Sequence, residues 1–201
     1  MPRLKGRAYL IRYADDFVIG FTDDEDARRV MAVLPKRLGK YGLSIHPDKT
    51  RLLPFRKRKG ERRSCGGEGP GTFRFLGFTH GWARSRKGNW YLLRKTAADR
   101  FTRAVRTISQ WCRTHRHDPI EEQHKTLCQK LQGHAAYYGI TGNSPALARF
   151  RREAVEVWRK WLLRRRRAWR PRAGWFGRLL DRYPVPYLRC VHSVYRSVAN
   201  G

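Results

Sequence analysis

Ala8-Tyr9-Leu10-Ile11-Arg12-Tyr13-Ala14-Asp15-Asp16-Phe17-Val18-Ile19-Gly20-Phe21 consists of two short apolar runs around two adjacent acids. The flanks, Ala8 to Arg12 and Phe17 to Phe21, are rich in β-branched and aromatic residues, and each predicts a strand. Two acids between two strands predict a hairpin with carboxylates at its tip. The chain has 201 residues, with 45 Lys and Arg against 16 Asp and Glu, so acids placed here call for a chemical reason. A hard divalent cation such as Mg²⁺ supplies one. It takes oxygen ligands and is commonly held by one or two carboxylates plus substrate phosphates. Two such ions side by side can activate an attacking hydroxyl and stabilise a leaving oxygen in phosphoryl transfer. The plainer alternative is a polar turn, which Asp also suits.

The formal net charge of +29 implies a polyanionic partner, with nucleic acid the first choice and an anionic membrane surface the second. No apolar run is long enough to span a membrane, and the first residues are too polar for a signal peptide. Cys65, Cys112, Cys128 and Cys190 are widely spaced and form no CxxC pair. They read as reduced thiols of a cytoplasmic protein, not as a zinc site or a disulfide framework. An aromatic content of 12% predicts a folded core.

Outward from the acids, Met1 to Arg7 is basic and contains no Asp or Glu. Thr22 with Glu25 fits a capping box, followed by a helical stripe of Ala27, Val30, Met31, Leu34, Leu38 and Tyr41. Asp23, Asp24, Glu25 and Asp26 suit a positive helix start better than a second metal site. Pro35 predicts a kink and Gly42 the helix end. Asp48-Lys49-Thr50 reads as a polar turn before a strand at Arg51 to Phe55. Arg56 to Arg63 is a basic loop and Ser64 to Gly71 is glycine-rich. Phe73 to Phe78 reads as one apolar strand. Ser85 to Asn89, between Trp82 and Trp90-Tyr91-Leu92, reads as a basic hairpin turn.

Tyr13-Ala14-Asp15-Asp16, then Gly42-Leu43 with Lys49-Thr50, then Phe75-Leu76-Gly77-Phe78 resemble, in order and spacing, the last three sequence blocks of reverse transcriptases. The detailed wording is similar to the bacterial group II intron type. The resemblance implies that Asp15 and Asp16 are catalytic acids and ligands of a two-metal Mg²⁺ site. It implies that the second block packs against the palm and that the third grips the primer end. Tyr13, Ala14, Lys49, Phe75, Leu76 and Gly77 are then expected at the nucleotide and primer. Such polymerases use a third carboxylate from an earlier palm strand, and no acid precedes Asp15. The expectation is a C-terminal part lacking the fingers and the first half of the palm, from a truncated or split reading frame. A separate chain would then supply the rest.

The second half predicts three capped helices. Thr96-Ala97-Ala98-Asp99 is a capping box ahead of Phe101, Val105, Ile108 and Cys112. Asp118-Pro119-Ile120-Glu121 gives an N-cap, a proline at the first helical position and an acid, ahead of Ile120, His124, Leu127, Leu131, His134 and Tyr138. Ser144-Pro145 opens a helix with Leu147, Phe150, Ala154, Val157, Trp158 and Trp161 inside. Short connections predict a small bundle. The stripes read as packing, and His124 and His134 lack partners at metal-ligand spacing. Gln132-Gly133-His134-Ala135-Ala136-Tyr137-Tyr138-Gly139 and Trp158-Arg159-Lys160-Trp161-Leu162 resemble the thumb, or maturase domain X, of group II intron proteins. On the last of these helices Arg149, Arg151, Arg152, Arg159 and Lys160, with Arg164, Arg165, Arg166 and Arg167 beyond, form a one-signed run interleaved with Trp158, Trp161 and Trp169. Phosphate contacts with stacking on unpaired bases need that combination. Trp169 to Gly201 reads as a tail with one short helix and without the Cys/His motif of an endonuclease domain.

The expected fold is therefore α+β. Residues 1–92 would form part of a reverse-transcriptase palm, with an antiparallel catalytic hairpin, one helix and further strands. Residues 93–167 would form a three-helix thumb, and 168–201 a basic tail. The expected function is RNA-directed DNA polymerisation with Mg²⁺ once the fingers and palm are completed, and binding of intron RNA to assist splicing. The partners would be group II intron RNA, an RNA template and a DNA primer, with no membrane. The alternatives are a non-catalytic RNA-binding maturase fragment and a decayed remnant.

Overall fold

The computed structural model describes residues 4–57, 71–85, 87–165 and 172–193. Most of the basic and glycine-rich stretch after Lys57, with Cys65, lies outside them, as do Arg86, Arg166, Arg167 and Trp169. The chain divides into two compact units. One is Met1–Leu76 with His80–Leu92, and the other is Gly77–Thr79 with Leu93–Gly201. The fold is α+β, with two small antiparallel sheets and five helices among the described residues.

The first unit opens with β1 (Ala8–Tyr13) paired antiparallel to β2 (Asp16–Phe21), in register from Ala8 opposite Phe21 to Tyr13 opposite Asp16. Thr22 prolongs the pairing. Its N–H donates to the Arg7 carbonyl at 3.0 Å and its hydroxyl accepts from the Arg7 N–H at 2.8 Å. The hydroxyl is thus taken, and the helix that follows, α1 (Asp24–Gly39), is capped one residue later than the sequence predicts. Asp23 accepts the N–H of Asp26 at 2.9 Å. Three acids in its first turn and Lys36 and Arg37 in its last complement the helix dipole. α1 runs on through Pro35. It ends in paired bonds, Gly42 N–H to Gly39 and Leu43 N–H to Leu38, both 3.1 Å, and Gly42 takes the left-handed φ of 69° that this exit requires.

The strand expected at Arg51 to Phe55 is not formed. Pro54 lacks an N–H to donate, and the segment is held by ring packing instead. Phe55 meets Phe73 at 5.1 Å and Trp82 at 5.5 Å. The single strand expected at Phe73 to Phe78 is two strands, β3 (Phe73–Phe75) and β4 (Phe78–Arg84), joined by a two-residue turn. β4 pairs next with β5 (Trp90–Thr96), giving the order β3-β4-β5. The Ser85–Asn89 turn between them is as predicted, closed by the Ser85 N–H on the Asn89 carbonyl at 2.8 Å.

The second unit is a bundle of α2 (Ala98–Thr114), α3 (Ile120–Tyr138) and α4 (Ser144–Leu162), with a short fourth helix, α5 (Trp175–Arg182). Ile108, Cys112, Leu127, Leu131, Phe150, Ala154 and Trp158 form its core, as the stripes predict, joined by Leu162, while Trp161 of the predicted stripe is half-buried. Two caps differ from expectation. Thr96 is buried and bound to Asn143, which accepts its N–H at 3.0 Å and donates to its hydroxyl at 2.8 Å. Ala97 therefore stands at the N-cap of α2 without a side-chain bond. Pro119, not Asp118, occupies the N-cap of α3. The Asp118 carbonyl takes the Gln123 amide at 2.8 Å, and Gln123 accepts the Trp158 indole N–H at 3.0 Å.

The segment expected as a separate tail belongs to this unit. Trp175, Phe176, Leu179, Leu180 and Tyr183 pack on the core, and Val185 is buried in it. A strap, residues 184–192, then follows α3 and α4. The Pro184 carbonyl bonds His124 at 2.9 Å, and Val191 and His192 donate to the Gly139 carbonyl at 2.7 and 2.9 Å.

Trp158 is fully buried, so Trp158→Ala should cost about 3–5 kcal/mol in chemical denaturation. A loss below about 1 kcal/mol would contradict its place in the core. His134 stacks on Phe150 at 3.7 Å, and burial lowers its pKa from 6.5 to about 4. The unfolded chain takes up this proton below 6.5 and the folded chain only near 4, so stability should fall as pH drops across that window. His134→Phe should flatten that part of a melting-temperature profile. An unchanged profile would refute the assignment.

Candidate functional site

The tip of the first hairpin is fixed by its register. Tyr13 lies directly opposite Asp16, which leaves Ala14 and Asp15 as the whole turn. A two-residue hairpin loop needs positive φ, and Ala14 takes it at 52°. A side chain there is strained by about 1–2 kcal/mol. The Arg12 guanidinium donates to the Ala14 carbonyl at 2.8 Å, which binds the tip together. Asp15 and Asp16 are both exposed, and neither carboxylate is in a hydrogen bond or ion pair among the described residues. Cross-strand alternation places Asp16 on one face with Tyr13, Ile11 and Val18. Two exposed carboxylates without a cation, on a braced tip, fit the donor chemistry of Mg²⁺. No cluster of three or more His, Cys, Asp or Glu suited to a metal occurs among the described residues.

The remaining nucleotide and primer residues fall in separate places. Lys49 is exposed on a turn closed by the Thr50 N–H on the His46 carbonyl at 3.1 Å, and among the described residues it forms no ion pair with Asp15 or Asp16. Phe75 ends β3. Leu76 and Gly77 form the turn to β4, both at positive φ, 50° and 74°. A bulky residue at positive φ is a true outlier, and such strain persists only where the surroundings impose it. Gly77 and Phe78 themselves belong to the second unit. The Gly77 carbonyl accepts the Ala97 N–H at 3.0 Å, and Phe78 packs against Tyr137 at 5.9 Å and Tyr138 at 5.2 Å. A Cβ on Gly77 would meet the Tyr138 hydroxyl oxygen at 3.0 Å. Burial raises the Tyr138 pKa, so its hydroxyl stays protonated. The sequence placed Tyr138 in the α3 stripe and in the Gln132 to Gly139 block, without a link to Gly77. The Tyr137-Tyr138 pair at the end of α3 was the available signal.

The expected RNA-binding residues are of several kinds. Arg151 is a structural clamp that donates to the Pro186 and Val185 carbonyls at 3.0 and 2.8 Å and lies over Tyr187. Arg165 likewise donates to the His117 and Asp118 carbonyls at 2.9 and 2.8 Å. Arg149 pairs with Glu153 at 3.7 Å and Arg159 with Glu156 at 2.8 Å. Arg152, Lys160 and Arg164 are exposed without an ion pair among the described residues, and Arg164 lies over Trp161. Arg166 and Arg167 lie outside the described residues. His124 and His134 are packing residues, as predicted.

Gly77→Ala should destabilise the chain by roughly 1–2 kcal/mol from φ alone, with a further loss from crowding Tyr138. Adding Tyr138→Phe should recover the crowding part only, measured by denaturant titration of both variants. A neutral Gly77→Ala would contradict the turn geometry.

No curated protein matches the chain. Residues 2–80 match the family model described as reverse transcriptase (RNA-dependent DNA polymerase). The matched stretch holds the Asp15–Asp16 hairpin, α1, Lys49 and the Leu76–Gly77 turn.

Proposed function

We propose that this chain is the catalytic-hairpin and thumb portion of a bacterial group II intron reverse transcriptase/maturase. Its reaction is RNA-directed DNA synthesis, and its second task is binding intron RNA to assist splicing, both in the cytoplasm. The observation that carries this reading is the braced tip, which offers Asp15 and Asp16 unpaired within the stretch matching the reverse transcriptase family. Mg²⁺ held there would activate the primer hydroxyl and stabilise the leaving oxygen of the incoming nucleotide. Asp15 and Asp16 are both exposed at the tip of the turn. Arg12 is spent on the Ala14 carbonyl and does not neutralise them. Gly77, whose carbonyl accepts the Ala97 N–H, would with Phe75 and Leu76 hold the primer end.

Two carboxylates leave a second ion poorly held, so a third must come from a segment bearing the fingers and the rest of the palm. β1 offers the docking edge. Tyr9, Leu10 and Ile11 are 59, 64 and 60% exposed on its two faces, the pattern of a strand meant to lie inside a larger sheet. A second reading, an RNA-binding maturase fragment without chemistry, is favoured by the absence of a three-ligand metal cluster among the described residues.

The test is primer extension on an RNA template with Mg²⁺, using the chain with and without a segment carrying the third Asp. Extension is expected from the pair only, and it should be lost with EDTA or Asp15→Ala. Failure of the pair would favour the binding fragment. Extension by the isolated chain, lost on Asp15→Ala, would show that two carboxylates suffice.

A further inference from the structure

β1 is exposed at all six of its positions, and of β2 only Val18, Ile19 and Phe21 are half-buried. Register is firmly set where one face of a strand is buried and weakly where neither is. A slip of one residue turns every side chain to the opposite face. Here it would also change the length of the Ala14-Asp15 turn and part Tyr13 from Asp16. Burial of β1 does not hold this register, so bonds at the two ends of the hairpin must. One end is the turn itself. At the other, Gly6 donates its N–H to the Asp26 carboxylate at 2.8 Å, and Arg7 exchanges bonds with Thr22. Asp26 lies in the first turn of α1, a few residues past the end of β2. Its bond therefore ties the entry to β1 onto the continuation of β2.

Asp26 is the one buried acid among the described residues, 1% exposed. It stands three residues after the N-cap Asp23, where the acid of a capping box turns back to the N-cap N–H. It bonds Gly6 instead, 20 residues earlier. A carboxylate out of water is tolerated only where it is bonded. Its Oδ1 is buried without a hydrogen bond, so the bond from Gly6 to Oδ2 carries that requirement. The acids beside it are engaged on the surface, Asp24 with Arg28 and Glu25 with Lys5 and Arg29. The Lys5–Glu25 pair also joins the two segments, but both side chains are 62% exposed and such a pair adds little. Gly6 is fitted closely to its place. A Cβ there would meet the Thr22 hydroxyl oxygen at 2.5 Å and the Asp23 Cβ at 3.1 Å.

We propose that Asp26 is a positioning residue for the Asp15–Asp16 tip: its bond to Gly6 sets the register of β1 on β2, and so the two-residue turn that places both carboxylates. This rests on the reading of that tip as the ion-holding site. Asp26 touches neither the ion nor the substrate, and it acts only through the strand pair.

The experiment uses the whole labelled chain at a temperature where near-UV circular dichroism shows every variant folded. Backbone NOEs between Leu10 and Ile19 and between Tyr13 and Asp16 report the register. Mn²⁺ titration of the tip signals reports the ion. D26A removes the acceptor, and G6A crowds the same bond from its other side. D26N keeps an acceptor, and D24A removes an equal charge from the same helix turn. D26A and G6A should lose both NOEs and weaken Mn²⁺ at the tip about tenfold, the scale of one hydrogen bond to a charged group. D26N should retain both signals and D24A should match the native chain. The double variant should bind no more weakly than either single one, since both act on one bond. NOEs that persist in D26A and G6A would overturn the register lock. NOEs lost with unchanged Mn²⁺ affinity would overturn the positioning role. A native chain that shows the NOEs but no Mn²⁺ effect at the tip would overturn the ion-holding reading, while loss of NOEs in D26A would still establish the lock.

Discussion

A strand pair that closes from Tyr13 directly to Asp16 leaves only two residues to reverse the chain. The first of them must adopt a backbone conformation that an L-residue resists. Everything proposed for the first unit depends on this constraint. The strain on Ala14 is held by the ladder behind it and by the Arg12 guanidinium on its carbonyl, and the result is a stiff tip with two outward carboxylates. The same solution appears at Phe75 to Phe78, where Leu76 and Gly77 both adopt positive φ. Both tips fall on residues that the chemistry would need to position, as expected where strain is retained for use.

In the second unit, buried polar bonds set the arrangement of the helices. Asn143 joins the end of β5 to the end of α3, through Thr96 and the Tyr138 carbonyl, and Gln123 joins the α3 start to Trp158 on α4. Left unsatisfied, each of these groups would cost about 1–3 kcal/mol, so they specify one packing of otherwise similar apolar helices. The strap adds a further constraint. At Gly139 an added Cβ would collide with the Ala135 carbonyl at the end of α3 and crowd Arg189 and Val191 of the strap, so the helix exit requires glycine and the strap passes close beside it. The arginines divide accordingly, some tying the strap and loops to the bundle and others left free on its surface.

Local signals carried the hairpin, α1, the core stripes of α2 to α4 and the short α5 correctly, because period and turn chemistry are properties of neighbouring residues. What sequence reasoning missed depends on distant partners. Thr96 has the look of a capping residue until Asn143, far along the chain, claims both its polar groups. Phe73 to Phe78 reads as one strand because Leu76 is apolar, and nothing local indicates that it will bear a positive φ. Arg51 to Phe55 has strand composition but finds rings in place of a ladder. In the candidate site, the acids and the Phe75-Leu76-Gly77-Phe78 block were legible as motifs, but the turn within that block was not. The role of Tyr138 and the difference between Arg151 and Arg164 were not, since a basic run does not tell which guanidinium will find a carbonyl.

The central claim is that Asp15 and Asp16 form the cation-holding tip of the chain. Paramagnetic relaxation with Mn²⁺ as the Mg²⁺ substitute tests it most directly, read as line broadening along the labelled full chain. The account predicts broadening centred on Tyr13 to Phe17, abolished by Asp15→Asn with Asp16→Asn and competed away by excess Mg²⁺. Broadening centred on Asp23 to Asp26 instead, or a tip unaffected by Mn²⁺, would contradict it.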